Sequence, residues 1–127
     1  MEFTFNIKDS VINDQLCTAL EGGSNYWYMI GPIDRKHFVK GKSLIDNLTL
    51  SFLKDKDFYL EVYDRESDDE DTPDLLGKVS YDSIVNAFSI MSREYPQTLA
   101  NILSGDFDAD DSDVWFQLAT MGEVVFG

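Results

Sequence analysis

Three aspartates near the end of the chain have the spacing that most suggests metal binding. Asp106, Asp108 and Asp110 follow the D-x-D-x-D pattern of a calcium loop. Such a loop also needs a glycine for its sharp turn and a bidentate glutamate near its end, but Asp111 and Gln117 stand at those positions. The competing interpretation is a helix N-terminus, where the macrodipole favours negative charge. We therefore assign no metal ligand and expect no cofactor.

Catalytic side chains are few. Cys17 is the only thiol and His37 the only imidazole, and no spacing in the sequence joins them. Cys17 lies in a helical pattern that favours a small core residue, and His37 lies in a basic segment where a solvated ring is expected. No nucleophile elbow, phosphate-binding loop, dinucleotide fingerprint or zinc-spaced cluster is present. We therefore assign no catalytic residue and expect a non-enzymatic protein, with a metal-dependent enzyme as the second alternative.

Residues 22–28, Gly-Gly-Ser-Asn-Tyr-Trp-Tyr, offer a different chemistry. Glycine amides can form an anion-binding concavity, and an exposed tryptophan can stack on a base or ring. This interpretation predicts a small-ligand or nucleotide-sequestering protein. Its binding residues would be Gly22, Gly23, Ser24, Asn25, Tyr26, Trp27, Arg35 and Lys36. The competing interpretation is a helix that ends at a left-handed glycine and a buried strand in which Trp27 packs in the core.

Acidic residues dominate the charge. The chain has 24 acidic and 10 basic residues, a formal net charge of -14 and a pI near 4.1, which argues against binding to nucleic-acid phosphates or anionic membranes. Residues 64–74 hold seven acids and residues 106–113 hold five. If both runs lie on one side, they form a face for a basic protein; otherwise they are a solvated loop and a helix cap. The predicted face is Asp64, Glu66, Asp68, Asp69, Glu70, Asp71 and Asp74.

Apolar periodicity predicts the strands. Residues 2–8 and 26–30 are expected to be strands. Between them we expect a helix that Asp9 or Ser10 caps and that ends at a left-handed Gly22 or Gly23. Leu48, Leu50 and Phe52 alternate with polar residues, and residues 58–63 show a similar alternation of buried-type and surface-type side chains. This alternation predicts a hairpin closed by residues 54–57.

Helix signals dominate the second half of the chain. Ser80 can cap one helix, Pro96 can begin a second that Gly105 closes, and a third is expected to start within residues 106–113 and to end at Gly122. We therefore predict a single α+β domain spanning residues 1–127. A small, mainly antiparallel sheet would be covered by an N-terminal helix and a C-terminal group of three helices, with the last helix central to the core.

The cellular setting follows from composition. A single cysteine excludes an internal disulfide and suits a reducing compartment. The sequence shows neither a basic, apolar leader nor an 18-residue apolar stretch. We expect a cytoplasmic protein with no membrane partner.

Two blocks carry a resemblance to known proteins. The block ALEGGSNYW at residues 19–27, followed at residues 116–127 by FQLATMGEVVFG, resembles small uncharacterised accessory proteins of bacteriophages and integrative or conjugative elements. The resemblance implies a mobile-element origin and a site of action in the cytoplasm of the bacterial host. It assigns no activity to any residue. Inhibition of a host-defence protein is an expectation from that setting.

Overall fold

The computed structural model describes residues 7–67 and 71–127. The helices are α1 (Asp9–Thr18), α2 (Leu44–Lys54), α3 (Tyr81–Glu94), α4 (Pro96–Ser104) and α5 (Ala109–Met121). The strands are β1 (Tyr28–Ile30), β2 (Tyr59–Asp64) and β3 (Leu75–Ser80). They form an antiparallel sheet in the order β1-β2-β3. The predicted α+β class is confirmed, with three helices in the C-terminal half.

The core lies between the sheet and the helices, and α5 occupies its centre. Trp115, Phe116 and Leu118 of α5 are at most 2% exposed and share one apolar cluster with Leu16 of α1 and Phe88 of α3. Because α5 is buried on most of its circumference, it contacts α1, α3, α4 and β3. The predicted central position of the last helix is confirmed.

The prediction of a strand at residues 48–52 is wrong, because these residues belong to α2. Ile45, Leu48 and Phe52 are spaced by three and four residues, so the segment satisfies a helical period as well as an alternating one. The side chain of Ser43 caps this helix by accepting a hydrogen bond from the amide of Asp46. The predicted 48–63 hairpin therefore does not form, and residues 54–57 lead from a helix into β2.

The hairpin that does form pairs β2 with β3, and the acidic residues 65–74 connect them. This hairpin connection departs from the short loops of common hairpins. The amide of Asp64 donates to the carbonyl of Asp74 at 2.8 Å, which closes the base of the connection. The acidic run is thus attached at both ends to the sheet.

The N-terminal segment and the start of α1 differ from the predictions. Residues 1–6 of the predicted first strand lie outside the described part of the chain, and Ile7 and Lys8 have no regular structure. Asp9 and Ser10 are not caps but the first residues of α1. Lys8 is at the N-cap and provides no side-chain hydrogen bond.

Glycines at the helix ends act in two ways. Gly105 and Gly122 end α4 and α5 in the left-handed conformation, with φ of 84° and 76°, as predicted. The left-handed end predicted for the first helix is wrong: α1 leads into a π turn (Ala19–Gly23) in which Gly22 is extended, with φ of 167°, and the amide of Ser24 donates to the carbonyl of Ala19. A β-carbon on Gly23 would lie 3.1 Å from the carbonyl oxygen of Ala109, so this glycine permits close approach to α5.

Candidate partner-binding surface

The aromatic segment after α1 is fixed to α5 by one buried carboxyl group, that of Asp113. Ser24 Oγ and Trp27 Nε1 donate to Oδ1 at 2.6 and 2.8 Å. Tyr26 OH and Gln117 Nε2 donate to Oδ2 at 2.5 and 3.1 Å. Because Asp113 is only 8% exposed, these four donors replace the water that would otherwise solvate it.

Tyr26 is the partly exposed member of this network. Partial burial, with the hydrogen bond to Asp113 as the next cause, raises the pKa of Tyr26 to about 12. Its hydroxyl therefore stays protonated and remains a donor at all physiological pH values. About half of its side chain is exposed, so it is the aromatic residue of this segment that a ligand or partner can reach.

Gln117 extends the network to the last residues of the chain. Its Oε1 accepts from the amides of Val125 and Phe126, both at 2.8 Å, and its Nε2 donates to the carbonyl of Phe126 at 2.9 Å. The ring of Phe126 stacks on that of Trp27, with centroids 5.2 Å apart. The two sequence blocks, residues 19–27 and 116–127, are therefore joined in space by side chains of α5.

Most of the predicted ligand-binding segment has packing partners. Trp27 is 1% exposed and is enclosed by Phe116 and Phe126, so neither face of its ring is open for stacking on a ligand. Ser24 is fully buried on Asp113. Gly22 and Asn25 are exposed. The geometry thus favours the packing interpretation of Trp27.

Arg35 and Lys36 lie in a different environment. The guanidinium of Arg35 is 5.2 Å from the ring centre of Phe38. Lys36 Nζ lies 3.1 Å from Asp55 Oδ2, and His37 Nε2 is 3.0 Å from the same oxygen. These contacts lower the pKa of Asp55 to about 2, the bond with His37 being the largest cause, and raise the pKa of Lys36. Within the described residues, the Arg35 guanidinium thus contacts Phe38 and the Lys36 ammonium contacts Asp34 and Asp55, rather than residues 22–27.

The two acidic runs approach the same short segment, residues 23–27. Arg65, at the start of the hairpin connection, donates its amide to the carbonyl of Trp27 and its guanidinium to the carbonyl of Asn25, at 3.0 and 2.9 Å. On the other flank, Gly23 packs on Ala109 at the start of α5. The first run thus begins beside one flank of the segment and the second run beside the other.

Individual acids of the predicted face differ in exposure. Glu66, Asp71 and Asp74 are exposed, whereas Asp64 at the end of β2 is half-buried. Asp68, Asp69 and Glu70 lie outside the described residues. In the second run, Asp106, Asp108 and Asp110 are exposed, Asp111 is half-buried and Asp113 is buried.

Most basic residues lie in a different part of the sequence. Residues 34–57 contain six of the ten basic residues and four of the 24 acidic ones, which leaves four basic and 20 acidic residues elsewhere. Asp34 and Asp55 are both ion-paired with Lys36 within that basic segment, at 3.9 and 3.1 Å. The excess negative charge therefore belongs to the rest of the molecule.

The sequence also raised a metal site and a reactive thiol, and the structure shows the surroundings of both in residues 7–67 and 71–127. No group of three or more His, Cys, Asp or Glu side chains there is arranged to hold a metal ion. Asp108 instead caps α5, accepting from the amide of Asp111 at 2.9 Å. Cys17 is partly buried with its thiol 3.3 Å from Glu21 Oε2, and the carboxylate raises the pKa of the thiol, which disfavours a nucleophilic thiolate.

The central role of Asp113 was missed in the sequence, where it counted as one more residue of an acidic run. One signal could have identified it: Asp113, Phe116, Gln117 and Thr120 follow the i, i+3, i+4, i+7 spacing of one helix face, next to buried Trp115. An acid on a face that includes core residues needs internal donors.

Comparison with known proteins gives no match, whether with protein-family models, with curated proteins or with solved structures. Among the helices of the described residues, none is long and apolar enough to cross a membrane. Function is therefore inferred from the residues and their arrangement.

Proposed function

We propose that this chain is a non-enzymatic accessory protein of a phage or mobile element. It acts in the cytoplasm of the bacterial host and binds a basic protein through an acidic face. The observation that supports this proposal is the convergence of both acidic runs on residues 23–27. The hairpin connection and the start of α5, which both carry exposed carboxylates, thereby contact one anchored segment.

Electrostatics favours a cationic partner for such a surface. Like charges held close together repel one another, and a partner rich in Lys and Arg relieves that repulsion and is attracted from a distance. The same field repels nucleic-acid phosphates and anionic lipid head groups. A basic protein that handles nucleic acid suits the proposal best, because its groove already binds a row of negative charges. Occupying that groove would inhibit it.

The carboxylates are held on a scaffold rather than on a free tail. Asp64 Oδ1 accepts from the amide of Glu66 at 2.8 Å, and Ser67 Oγ accepts from the amide of Asp74 at 2.9 Å. These bonds fix both described ends of the hairpin connection. Less conformational entropy is lost when a pre-ordered surface binds, which favours affinity.

A pull-down from a lysate of the bacterial host tests the proposal. The acidic-face variant carries Glu66→Gln, Asp74→Asn, Asp106→Asn and Asp110→Asn. The matched control loses the same charge elsewhere through Asp9→Asn, Asp14→Asn, Asp82→Asn and Glu94→Gln, all exposed positions. We expect a basic protein that the native chain and the control retain, that the acidic-face variant loses, and that dissociates as salt increases. Equal retention by all three chains, or retention insensitive to salt, would contradict the proposal.

A further inference from the structure

The face of the sheet that points away from the helices carries exposed apolar and aromatic side chains. Met29, Tyr63 and Leu75 are paired across β1, β2 and β3, so their side chains form one row on the same face. Met29 and Leu75 are 37% and 49% exposed. On the opposite face, Leu60 and Val62 are completely buried in the core.

A second group of side chains completes this outer sheet face. The ring of Tyr63 lies across Gly31, where a β-carbon would be only 2.7 Å from it, and the Tyr63 hydroxyl donates to Glu61 Oε2 at 2.7 Å. Tyr59 is 46% exposed, and Lys78 Nζ lies 4.6 Å from its ring centre. The outer sheet face, which consists of Met29, Tyr59, Glu61, Tyr63, Leu75 and Lys78, is thus an apolar and aromatic surface with one acid, Glu61, and one base, Lys78, which are paired across β2 and β3.

The apolar row borders the acidic hairpin connection directly. Tyr63 precedes Asp64 at the end of β2, and Leu75 follows Asp74 at the start of β3. Exposed Asp74 thus directly precedes the row and exposed Glu66 follows β2 by two residues, while Glu61 lies on the other side of Tyr63 along β2. A partner that covers the row must bring positive charge to these carboxylates.

Charge also decides between possible occupants. A second copy of this chain would bring a second net charge of -14 and place like carboxylates opposite one another. Nucleic acid and anionic membrane are repelled for the same reason. A segment with an apolar side and a cationic rim complements both features of the surface.

We propose that the outer sheet face binds an amphipathic basic helix of the partner protein. The row from Met29 to Leu75 crosses three strands, a span of roughly 10 Å, which is the length of about two helical turns. Apolar side chains of the helix cover the row, and its Lys and Arg side chains contact Glu61, Glu66 and Asp74. This inference rests on the proposed function and identifies the surface and the chemistry of the partner.

The test uses two peptide probes of about 14 residues made of Leu and Lys. In one, Leu recurs with helical spacing on a single face; in the other, the same composition is scrambled. The outer-face variant is Met29→Ser with Leu75→Ser. The control is Leu44→Ser with Leu103→Ser, two leucines of similar exposure in α2 and α4. Calorimetric titration measures the Kd of each pair, and circular dichroism checks the fold of each variant.

We expect the native chain and the control to bind the amphipathic peptide about tenfold more tightly than the scrambled one, from the apolar area buried. The outer-face variant loses that preference and keeps its weak, salt-dependent binding of the scrambled peptide. Equal binding of the two peptides by the native chain would overturn the inference, as would an equal loss in the control. So would sedimentation of the native chain as a dimer that the outer-face variant abolishes.

A third variant separates this inference from the proposed function. Glu66→Gln with Asp74→Asn reduces charge and leaves the apolar row intact. If this variant binds both peptides more weakly while the outer-face variant binds both as the native chain does, the acidic face is supported and the inference is contradicted. If this variant leaves the affinity for both peptides unchanged while the outer-face variant loses its preference for the amphipathic one, the apolar surface is supported and the proposed acidic recognition is contradicted.

Discussion

Replacing Asp113 with alanine tests whether this residue fastens the segment 23–27 to α5. Ser24 and Trp27 both donate to Oδ1 and are 0% and 1% exposed, so without Asp113 neither donor can reach water. A buried donor left without its partner costs about 1–3 kcal/mol, so two such donors predict a loss of about 2–6 kcal/mol in the free energy of unfolding. The bonds from Tyr26 and Gln117 add less, because Tyr26 is partly exposed and Gln117 Nε2 also donates to the carbonyl of Phe126.

Asp113→Asn is the conservative comparison. It keeps the volume and one acceptor oxygen but places an amide group opposite a donor. We therefore expect a loss of about 1–3 kcal/mol in the free energy of unfolding. Asp110→Ala is the matched control, because Asp110 is exposed in the first turn of the same helix and contributes only the macrodipole term of about 0.3–1 kcal/mol.

Urea unfolding followed by tryptophan fluorescence and far-ultraviolet circular dichroism measures all three variants. The expected order of destabilisation is Asp113→Ala, then Asp113→Asn, then Asp110→Ala. A loss below about 1 kcal/mol for Asp113→Ala, or one equal to that of Asp110→Ala, would refute the role of Asp113 in joining the two segments.

The remaining predictions concern the core, one close contact and one ion-pair cluster. Leu118→Ala should lower the free energy of unfolding by about 2–5 kcal/mol, and a urea-unfolding loss under about 1 kcal/mol would contradict the central position of α5. Gly77→Ala should cost about 3 kcal/mol or more in the same assay, because its β-carbon would lie 1.9 Å from the carbonyl oxygen of Thr120; a loss under about 1 kcal/mol would contradict that close contact. Asp55, with its pKa lowered to about 2 chiefly by His37, binds its proton less readily when folded than when unfolded. Its stabilisation is therefore present above pH 4 and lost as the pH falls from about 4 to 2, a component that Asp55→Asn should lack in acid-unfolding curves.

Helix ends in the C-terminal half were predictable from the sequence because they depend on local chemistry, whereas both predicted ends of the first helix were wrong. Ser80 caps α3 and Gly105 and Gly122 end α4 and α5, each through bonds within a few residues. The prediction of a strand at residues 48–52 failed because their apolar positions satisfy both a helical and an alternating period, and tertiary packing selects the helix. The pairing of β2 with β3 was missed because it spans a long acidic connection whose composition suggests a loop between separate elements.

The candidate surface was less predictable than the fold. The acidic run was evident from composition, but its contact with residues 23–27 depends on Arg65. The two hydrogen bonds of Arg65 to this segment are made to backbone carbonyls, which no sequence pattern reveals. The outer sheet face depends on strand register, and the pairing of Met29 with Tyr63 and Leu75 follows only once the three strands are aligned.

The most direct test of the account is to map where a basic partner binds. Nuclear magnetic resonance spectra of the isotope-labelled chain, titrated with the amphipathic Leu and Lys peptide, report the affected amides residue by residue. We expect the largest shifts at Met29, Tyr63, Glu66 and Leu75. Shifts confined to residues 34–57, or shifts that are equally large with the scrambled peptide, would contradict this prediction.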